Sequence, residues 1–174
     1  MGCDIHCIIE YKRPESYSLS WDSFGTRSIN PGRDYHWFAN LAGVRGEPKG
    51  DKPFATGFGL PDKPSWATLD EITMRVDYNA QSVLNLSAHT TTLELATKWV
   101  ESGYSKWLDE VDANGRKFII TSPDYHSYGW CNLADWKKAV KGNHSIEVKA
   151  LTAAMQAIAK AGGAEVRLVF WFDN

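Results

Sequence analysis

The sequence predicts a single α+β domain over residues 1–174, in which a mixed or antiparallel sheet includes both terminal strands and helices pack on that sheet. Three observations lead to this fold class. Apolar residues alternate with other residues at each end of the chain, apolar residues recur at helical spacing between the ends, and Asn114-Gly115 marks a hairpin turn. Because strands and helices do not alternate regularly, a parallel sheet of βαβ units is not expected.

The first strand is predicted over residues 3–12, where an alternation of apolar and polar residues runs from Ile5 onward. One face of this strand is apolar, and the other, mostly polar face carries Asp4 and His6. Residues 13–33 are rich in Ser, Gly, Pro and Arg, so they are predicted to form irregular surface structure.

A helix is predicted over residues 35–42, with Gly43 as its C-cap. Residues 46–64 contain so many Gly and Pro residues that most of the segment should lack regular structure. A loop of this length in a compact domain is usually either functional or disordered. A short helix should follow, with Ser65 as its N-cap and Trp66 on its buried side.

The second half of the chain contains the remaining predicted elements. Asn114-Gly115 suits the positive φ angles of a tight turn, and Gly residues end two of the helices. The elements are a helix over 92–102, a hairpin of segments 107–111 and 117–121, helices over 132–140 and 146–161, and a strand over 165–173.

Charge, hydropathy and cysteine content exclude several classes of protein. The chain has 19 Lys and Arg against 21 Asp and Glu, with no long run of like charge, so non-specific binding of duplex DNA is not expected. No apolar stretch approaches the roughly 18 residues that span a bilayer, and no signal peptide precedes the first strand, so we expect a cytoplasmic protein without a membrane partner. Cys3 and Cys7 would lie about 13 Å apart on one strand. That distance is too long for a disulfide or a shared zinc ion, and we expect packing roles.

A candidate metal site lies on the polar face of the first strand. Asp4 and His6 are two residues apart, about 6.6 Å along the strand, so their side chains can converge on one divalent ion. If the last strand pairs antiparallel with the first, Asp173 comes beside Asp4 and adds a second carboxylate. Carboxylates and imidazole suit Mn, Fe or Zn ions that activate water, and Mg is a further candidate.

Four other residues are candidates for catalysis. Asp124 and His126 lie two positions apart in a segment predicted to lead into a helix, and they could supply a fourth group to the metal ion or act as acid or base. Arg33 or Arg45 could hold an anionic substrate, since the guanidinium fork matches the geometry of phosphate. Structural alternatives remain, because Asp124 could cap the helix, the arginines could form salt bridges and His6 could be an ordinary semi-buried histidine.

Several blocks of the sequence resemble a family of small, uncharacterised bacteriophage and prophage proteins. They occur in the family's order: Gly2-Cys3-Asp4-Ile5-His6, residues 33–45, residues 59–62, residues 123–127 with Trp130, and residues 166–174, which end in Val-Phe-Trp-Phe-Asp-Asn. The resemblance implies a phage or prophage origin and a location in the host cytoplasm, and it implies no activity. Family members usually have a second histidine two places after the one matching His126, where this chain has Tyr128, and the alignment is open between residues 62 and 122.

Two hypotheses for the function follow from these features. The first is a metal-dependent hydrolase that acts on a phosphoester, such as a nucleotide or a nucleic acid, through the candidate residues named above. The second is a non-enzymatic binding protein that inhibits a host or defence protein, or sequesters a small ligand, by means of its aromatic and Gly/Pro-rich loops. The expected partner is accordingly a phosphate-containing small molecule or a host protein.

Overall fold

The computed structural model describes residues 2–14, 20–162 and 165–173. These residues form an α+β fold with five α-helices, one 3₁₀ turn and two sheets. The strands are β1 (Ile5–Lys12), β2 (Trp21–Ser23), β3 (Gly57–Phe58), β4 (Thr73–Asp77), β5 (Thr90–Thr92), β6 (Ile119–Thr121), β7 (Tyr125–Asn132) and β8 (Glu165–Asp173). The helices are α1 (Tyr35–Ala42), α2 (Trp66–Ile72), α3 (Leu93–Glu101), α4 (Leu133–Ala139) and α5 (Ile146–Gly162), and the 3₁₀ turn spans Val83–Asn85.

The chain divides into two compact units. The first contains residues 1–68 and 127–174, and the second contains residues 69–126. The division passes through α2 and through β7. The expectation of a single domain over residues 1–174 stays a prediction.

The two terminal strands pair in the first unit, as the sequence predicts. The sheet has the strand order β2-β1-β8-β7-β3, and β1 runs antiparallel to β8 from the pair Ile5–Phe172 to the pair Lys12–Glu165. This register sets side chains of both strands opposite one another on the same face of the sheet. It therefore brings the start of β1 beside the end of β8.

The apolar face of this sheet forms the main core with α1, α4 and α5. Aromatic rings meet edge to face there, with centroids 5.2 Å apart for Phe38 and Phe172, and 5.5 Å apart for Trp37 and Trp136. Burying one such side chain stabilises the fold by about 1.5–3 kcal/mol. The core also contains Ile5, Cys7, Ile9, Leu41, Leu151, Met155, Leu168 and Phe170.

Capping residues define the helix ends where the sequence predicts them. The Asp34 side chain accepts a hydrogen bond from the His36 N–H at the start of α1. Gly43 ends α1 with φ of 69°, a left-handed conformation that favours glycine, and donates to the Ala39 carbonyl. At the starts of four later helices, backbone N–H groups donate hydrogen bonds to the side chains of Ser65, Thr92, Asn132 and Ser145.

The mostly polar face of β1 is buried at its far end. Glu10 has no exposed surface, and its Oε2 accepts a hydrogen bond from Arg167 Nε on β8 at 2.7 Å and lies 2.7 Å from Nη2 of the same ion pair. Its Oε1 accepts from the Ser65 N–H and the Thr68 hydroxyl, each at 2.6 Å. A carboxylate can be buried here because both oxygens are paired.

The second unit contains a three-stranded sheet in the order β5-β4-β6 together with α3. β4 is parallel to β5 and antiparallel to β6. The predicted hairpin is confirmed by antiparallel bridges at Trp107–Ile120 and Val111–Lys117, with Gly115 at φ of 74° in the turn. β4 and β5 were not predicted from the sequence.

Two local predictions are wrong. Residues 124–127 do not lead into a helix, because β7 occupies residues 125–132 and α4 begins only after Asn132. Trp66 is 72% exposed rather than buried. The short strands β2 and β3 also interrupt segments predicted to be irregular.

None of the described helices is long and apolar enough to cross a membrane.

Candidate catalytic site

Asp4, His6 and Asp173 meet where β1 begins and β8 ends. The Asp173 N–H donates to the Asp4 carbonyl at 3.2 Å, and the Asp4 N–H donates to Asp173 Oδ1 at 2.9 Å. The other carboxylate oxygen, Asp173 Oδ2, lies 2.9 Å from His6 Nε2. The pairing register thus brings together the three residues proposed as metal ligands.

The imidazole of His6 is held in a defined orientation. His6 is paired across the strands with Trp171, and the two rings are nearly parallel, with an interplanar angle of 10° and centroids 5.9 Å apart. An ionised carboxylate only accepts hydrogen bonds, so Asp173 assigns the proton to His6 Nε2. Nδ1 is then the basic nitrogen of the ring. The His6 side chain is 22% exposed, so solvent can reach it.

Ser28 lies on the other side of the imidazole. Its Oγ is 3.5 Å from His6 Nδ1. The next residue, Ile29, exchanges two backbone hydrogen bonds with Cys7 of β1, at 2.8 and 2.9 Å, and these fix the position of Ser28. Sequence reasoning missed Ser28, because no motif or spacing relates it to His6 and only the strand-like pairing of Ile29 brings it there.

Arg33 forms a bidentate ion pair with Asp4. Its Nε and Nη2 atoms donate to the two carboxylate oxygens at 2.8 and 2.7 Å. These hydrogen bonds lower the pKa of Asp4 below its usual range. A Cβ at Gly2 would overlap Arg33 Nη1, so the glycine leaves room for the guanidinium. Asp4 accepts from two of the five guanidinium N–H groups, and the Arg33 side chain is 48% exposed.

Arg45 lies at the same end of β1, next to Cys3. Burial raises the pKa of the Cys3 thiol, and a hydrogen bond with Arg45 partly opposes that shift. Arg45 has φ of 60°, a left-handed backbone conformation that few residues other than glycine adopt. Cys3 and Cys7 are buried in the main core without a disulfide, which confirms their expected packing roles, and Cys131 lies in the same core.

Asp124 and His126 belong to the second unit. Asp124 is exposed, and its N–H donates to the Ser122 hydroxyl at 3.4 Å. His126 is half-buried at the beginning of β7. Their proposed acid and base roles stay predictions.

Metal binding also stays a prediction. Over residues 2–14, 20–162 and 165–173, no group of three or more His, Cys, Asp or Glu side chains is placed so that it could hold a metal ion. Both oxygens of Asp4 accept from Arg33, and both oxygens of Asp173 are in contact with the Asp4 N–H or with His6. An ion bound by Asp4 would therefore share its carboxylate with Arg33.

A groove of about 320 Å³ adjoins the charged cluster through Arg33. The buried indole N–H of Trp37, which lines this groove, makes no hydrogen bond with the described residues. The groove is also lined by Pro31, Gly32, Asp34, Gly142, Asn143, His144, Ser145 and Glu147. It thus offers both charged and hydrogen-bonding groups beside Arg33.

A second cavity, which we call the tryptophan hollow, lies elsewhere in the first unit and has a volume of about 450 Å³. Trp21 and Trp130 contribute indole rings to its wall, and Glu165 contributes a carboxylate. The guanidinium of Arg167 stacks 3.7 Å from the Trp21 ring centre. The hollow is completed by Asn132, Leu133, Ala134, Ala159 and Val166.

Known proteins provide no functional assignment for this chain. Comparisons with protein-family models, with curated proteins and with solved structures found no match. The resemblance to bacteriophage proteins stays a prediction.

Proposed function

We propose that the protein is a phosphoester hydrolase in which His6 is the general base and acid. The contact between His6 Nε2 and Asp173 Oδ2 carries this proposal. It fixes one tautomer, so Nδ1 is free of a proton and can accept one from an attacking hydroxyl group. Asp173 is a positioning residue that also stabilises the imidazolium formed in that step.

Arg33 supplies the binding site for the phosphoryl oxygens. Asp4 orients the guanidinium through two hydrogen bonds, and the same residue donates its N–H to Asp173. The anion-binding group, Arg33, and the base, His6, are therefore connected through Asp4 and Asp173. The N–H donors of a guanidinium match the geometry of phosphoryl oxygens. They also stabilise the negative charge on those oxygens during phosphoryl transfer.

The groove beside Arg33 limits the size of the substrate. Its volume of about 320 Å³ is at the small end of the range for ligand sites. We expect a small phosphoester, such as a nucleotide, with its phosphoryl group at Arg33 and its remainder in the groove.

The test is hydrolysis of p-nitrophenyl phosphate and bis(p-nitrophenyl) phosphate by the purified full chain. Wild type should release p-nitrophenol, and His6→Gln should lower kcat/KM by about 10²–10⁴-fold, since proton transfer by a positioned base contributes that much. His89→Gln, which changes an exposed histidine of the second unit, should match wild type. Thermal melts check that both variants fold. Equal activity of His6→Gln and wild type would contradict the proposal.

The same assay in EDTA and in added Mn, Zn or Mg tests metal dependence. Activity that survives EDTA supports the arrangement described above, in which Arg33 stays on Asp4. Activity that requires a metal ion, together with a rise in Tm that His6→Ala abolishes, supports Asp4, His6 and Asp173 as ligands instead.

The tryptophan hollow supports a second candidate function, the binding of a small ligand without chemistry. Its wall is mostly apolar and aromatic with a few polar groups, which is the composition of small-molecule sites. The indoles of Trp21 and Trp130 favour a planar, apolar ligand. This candidate corresponds to the sequestering role considered from the sequence.

The fluorescent probe 1-anilinonaphthalene-8-sulfonate tests the tryptophan hollow. Wild type should bind it and enhance its emission, and Ala159→Trp should abolish binding because the new ring fills the cavity. Ala153→Trp, on an exposed part of α5, is the matched control and should bind as wild type does. Undiminished probe binding by Ala159→Trp would rule out the hollow as the site.

A further inference from the structure

We propose that Ser28 is the nucleophile of the hydrolase and forms a phosphoserine intermediate. This inference rests on the proposed function, and it names the hydroxyl group that His6 deprotonates. The residues concerned are Ser28, His6 and Asp173, and they are connected in that order by two contacts. A nucleophile, a base and a residue that orients the base form the arrangement used by serine hydrolases on unrelated folds.

The geometry directs the basic nitrogen of His6 to Ser28. Nε2 is 2.9 Å from Asp173 Oδ2, so Nδ1 faces Ser28 Oγ at 3.5 Å. This distance is longer than a strong hydrogen bond, as catalytic contacts often are before the substrate binds. Ser28 is half-buried rather than enclosed in the core.

Two anchors on β1 hold the segment that carries Ser28. The Phe24 N–H donates to the Ile9 carbonyl at 2.8 Å at one end, and Ile29 pairs with Cys7 at the other. Backbone hydrogen bonds therefore hold the segment that carries the Ser28 hydroxyl against the same strand that carries His6. Such a rigid connection is what a nucleophile and its base require.

The first step transfers the phosphoryl group to Ser28. The Oγ attacks phosphorus while its proton moves to His6 Nδ1, and the bond between phosphorus and the leaving oxygen breaks. The imidazolium, stabilised by Asp173, then gives that proton to the leaving alkoxide. The products of this step are an alcohol and phosphoserine, and no group is oxidised or reduced.

The second step hydrolyses phosphoserine. A water molecule gives a proton to His6 Nδ1 and attacks phosphorus, and the bond between phosphorus and Ser28 Oγ breaks. His6 returns the proton to Oγ, which regenerates the enzyme and releases phosphate. The sum of both steps is one phosphoester and one water converted to one alcohol and one phosphate.

Diisopropyl fluorophosphate tests the nucleophile without knowledge of the natural substrate, since it phosphorylates activated serines with loss of fluoride. After reaction with the full chain, peptide mass spectrometry should find the diisopropylphosphoryl group on Ser28. His6→Gln should slow labelling at Ser28 by at least about 100-fold, the lower limit for loss of a positioned base. Ser102, an exposed serine of the second unit, is the internal reference. Labelling of Ser28 no faster than Ser102, or unaffected by His6→Gln, would overturn the proposal.

Hydrolysis of p-nitrophenyl phosphate separates this inference from the proposed function. Ser28→Ala should reduce turnover by at least about 100-fold, and Ser102→Ala should not reduce it. If Ser28→Ala is as active as wild type while His6→Gln is inactive, water attacks directly, so the nucleophile is wrong and the hydrolase stands. If no phosphoester is hydrolysed but labelling of Ser28 depends on His6, the serine is the nucleophile and the phosphoester assignment is wrong. The labelling uses wild type, so it is informative even if Ser28→Ala fails to fold.

Discussion

Replacing Arg167 with alanine should lower the free energy of unfolding by about 3–5 kcal/mol, the cost of breaking a buried ion pair from one side. The substitution leaves the Glu10 carboxylate buried without its cation. It also removes two hydrogen bonds from Arg167 to the carbonyls of Asp62 and Lys63, at 3.2 and 3.1 Å. Arg167 therefore connects the end of the Gly/Pro-rich segment to the central sheet, and urea unfolding measures its contribution.

The control for Arg167 is an exposed ion pair of the same unit. Arg13 Nε lies 3.0 Å from Asp22 Oδ2, and both side chains are substantially exposed, so Arg13→Ala should change stability far less. The double variant Glu10→Gln with Arg167→Met should be more stable than Arg167→Ala alone, because no buried charge is left unpaired. Similar losses for Arg13→Ala and Arg167→Ala would show that the burial of the Glu10 pair has no energetic consequence.

Replacing Phe170 with alanine should lower the free energy of unfolding by about 3–5 kcal/mol, the usual cost of deleting a buried aromatic ring. Phe170 has no exposed surface and lies in the main core. Its ring also packs against Gly129 of β7, where a Cβ would lie 2.5 Å from Phe170 Cζ. Chemical unfolding of the variant measures the loss, and Phe24→Ala, at a position 55% exposed, is the control that should lose less.

Gly129→Ala extends this test to the contact itself. In wild type the added methyl group would overlap the ring of Phe170, and overpacking of this kind costs about 1–3 kcal/mol. In the Phe170→Ala background the same methyl group enters vacated space, so Gly129→Ala should cost less there. An equal cost in both backgrounds would mean that Phe170 does not impose glycine at position 129.

Local signals in the sequence were sufficient to predict much of the fold. Alternation of apolar residues predicted β1 and β8, and helical spacing between a cap and a glycine predicted α1 at residues 35–42. These predictions succeeded because a strand with one apolar face and a capped helix are each specified by neighbours along the chain. The sequence does not predict β7, and it wrongly predicts that residues 124–127 lead into a helix. Ser127 and Gly129 interrupt the aromatic residues of this segment, and β7 forms because it lies between β8 and β3 in the sheet.

The candidate site shows the same division between local and long-range information. From the sequence alone, the spacing of Asp4 and His6 placed both on one face, and antiparallel pairing of the terminal strands was enough to add Asp173. Three contacts of the site and sheet depend on the tertiary structure. They are the ion pair of Asp4 with Arg33, the approach of Ser28 to His6, and the buried ion pair of Glu10 with Arg167. Each of these contacts joins residues at least 22 positions apart. Periodicity reports which face a side chain occupies, but the partner it meets there depends on strand register and on how the loops are anchored.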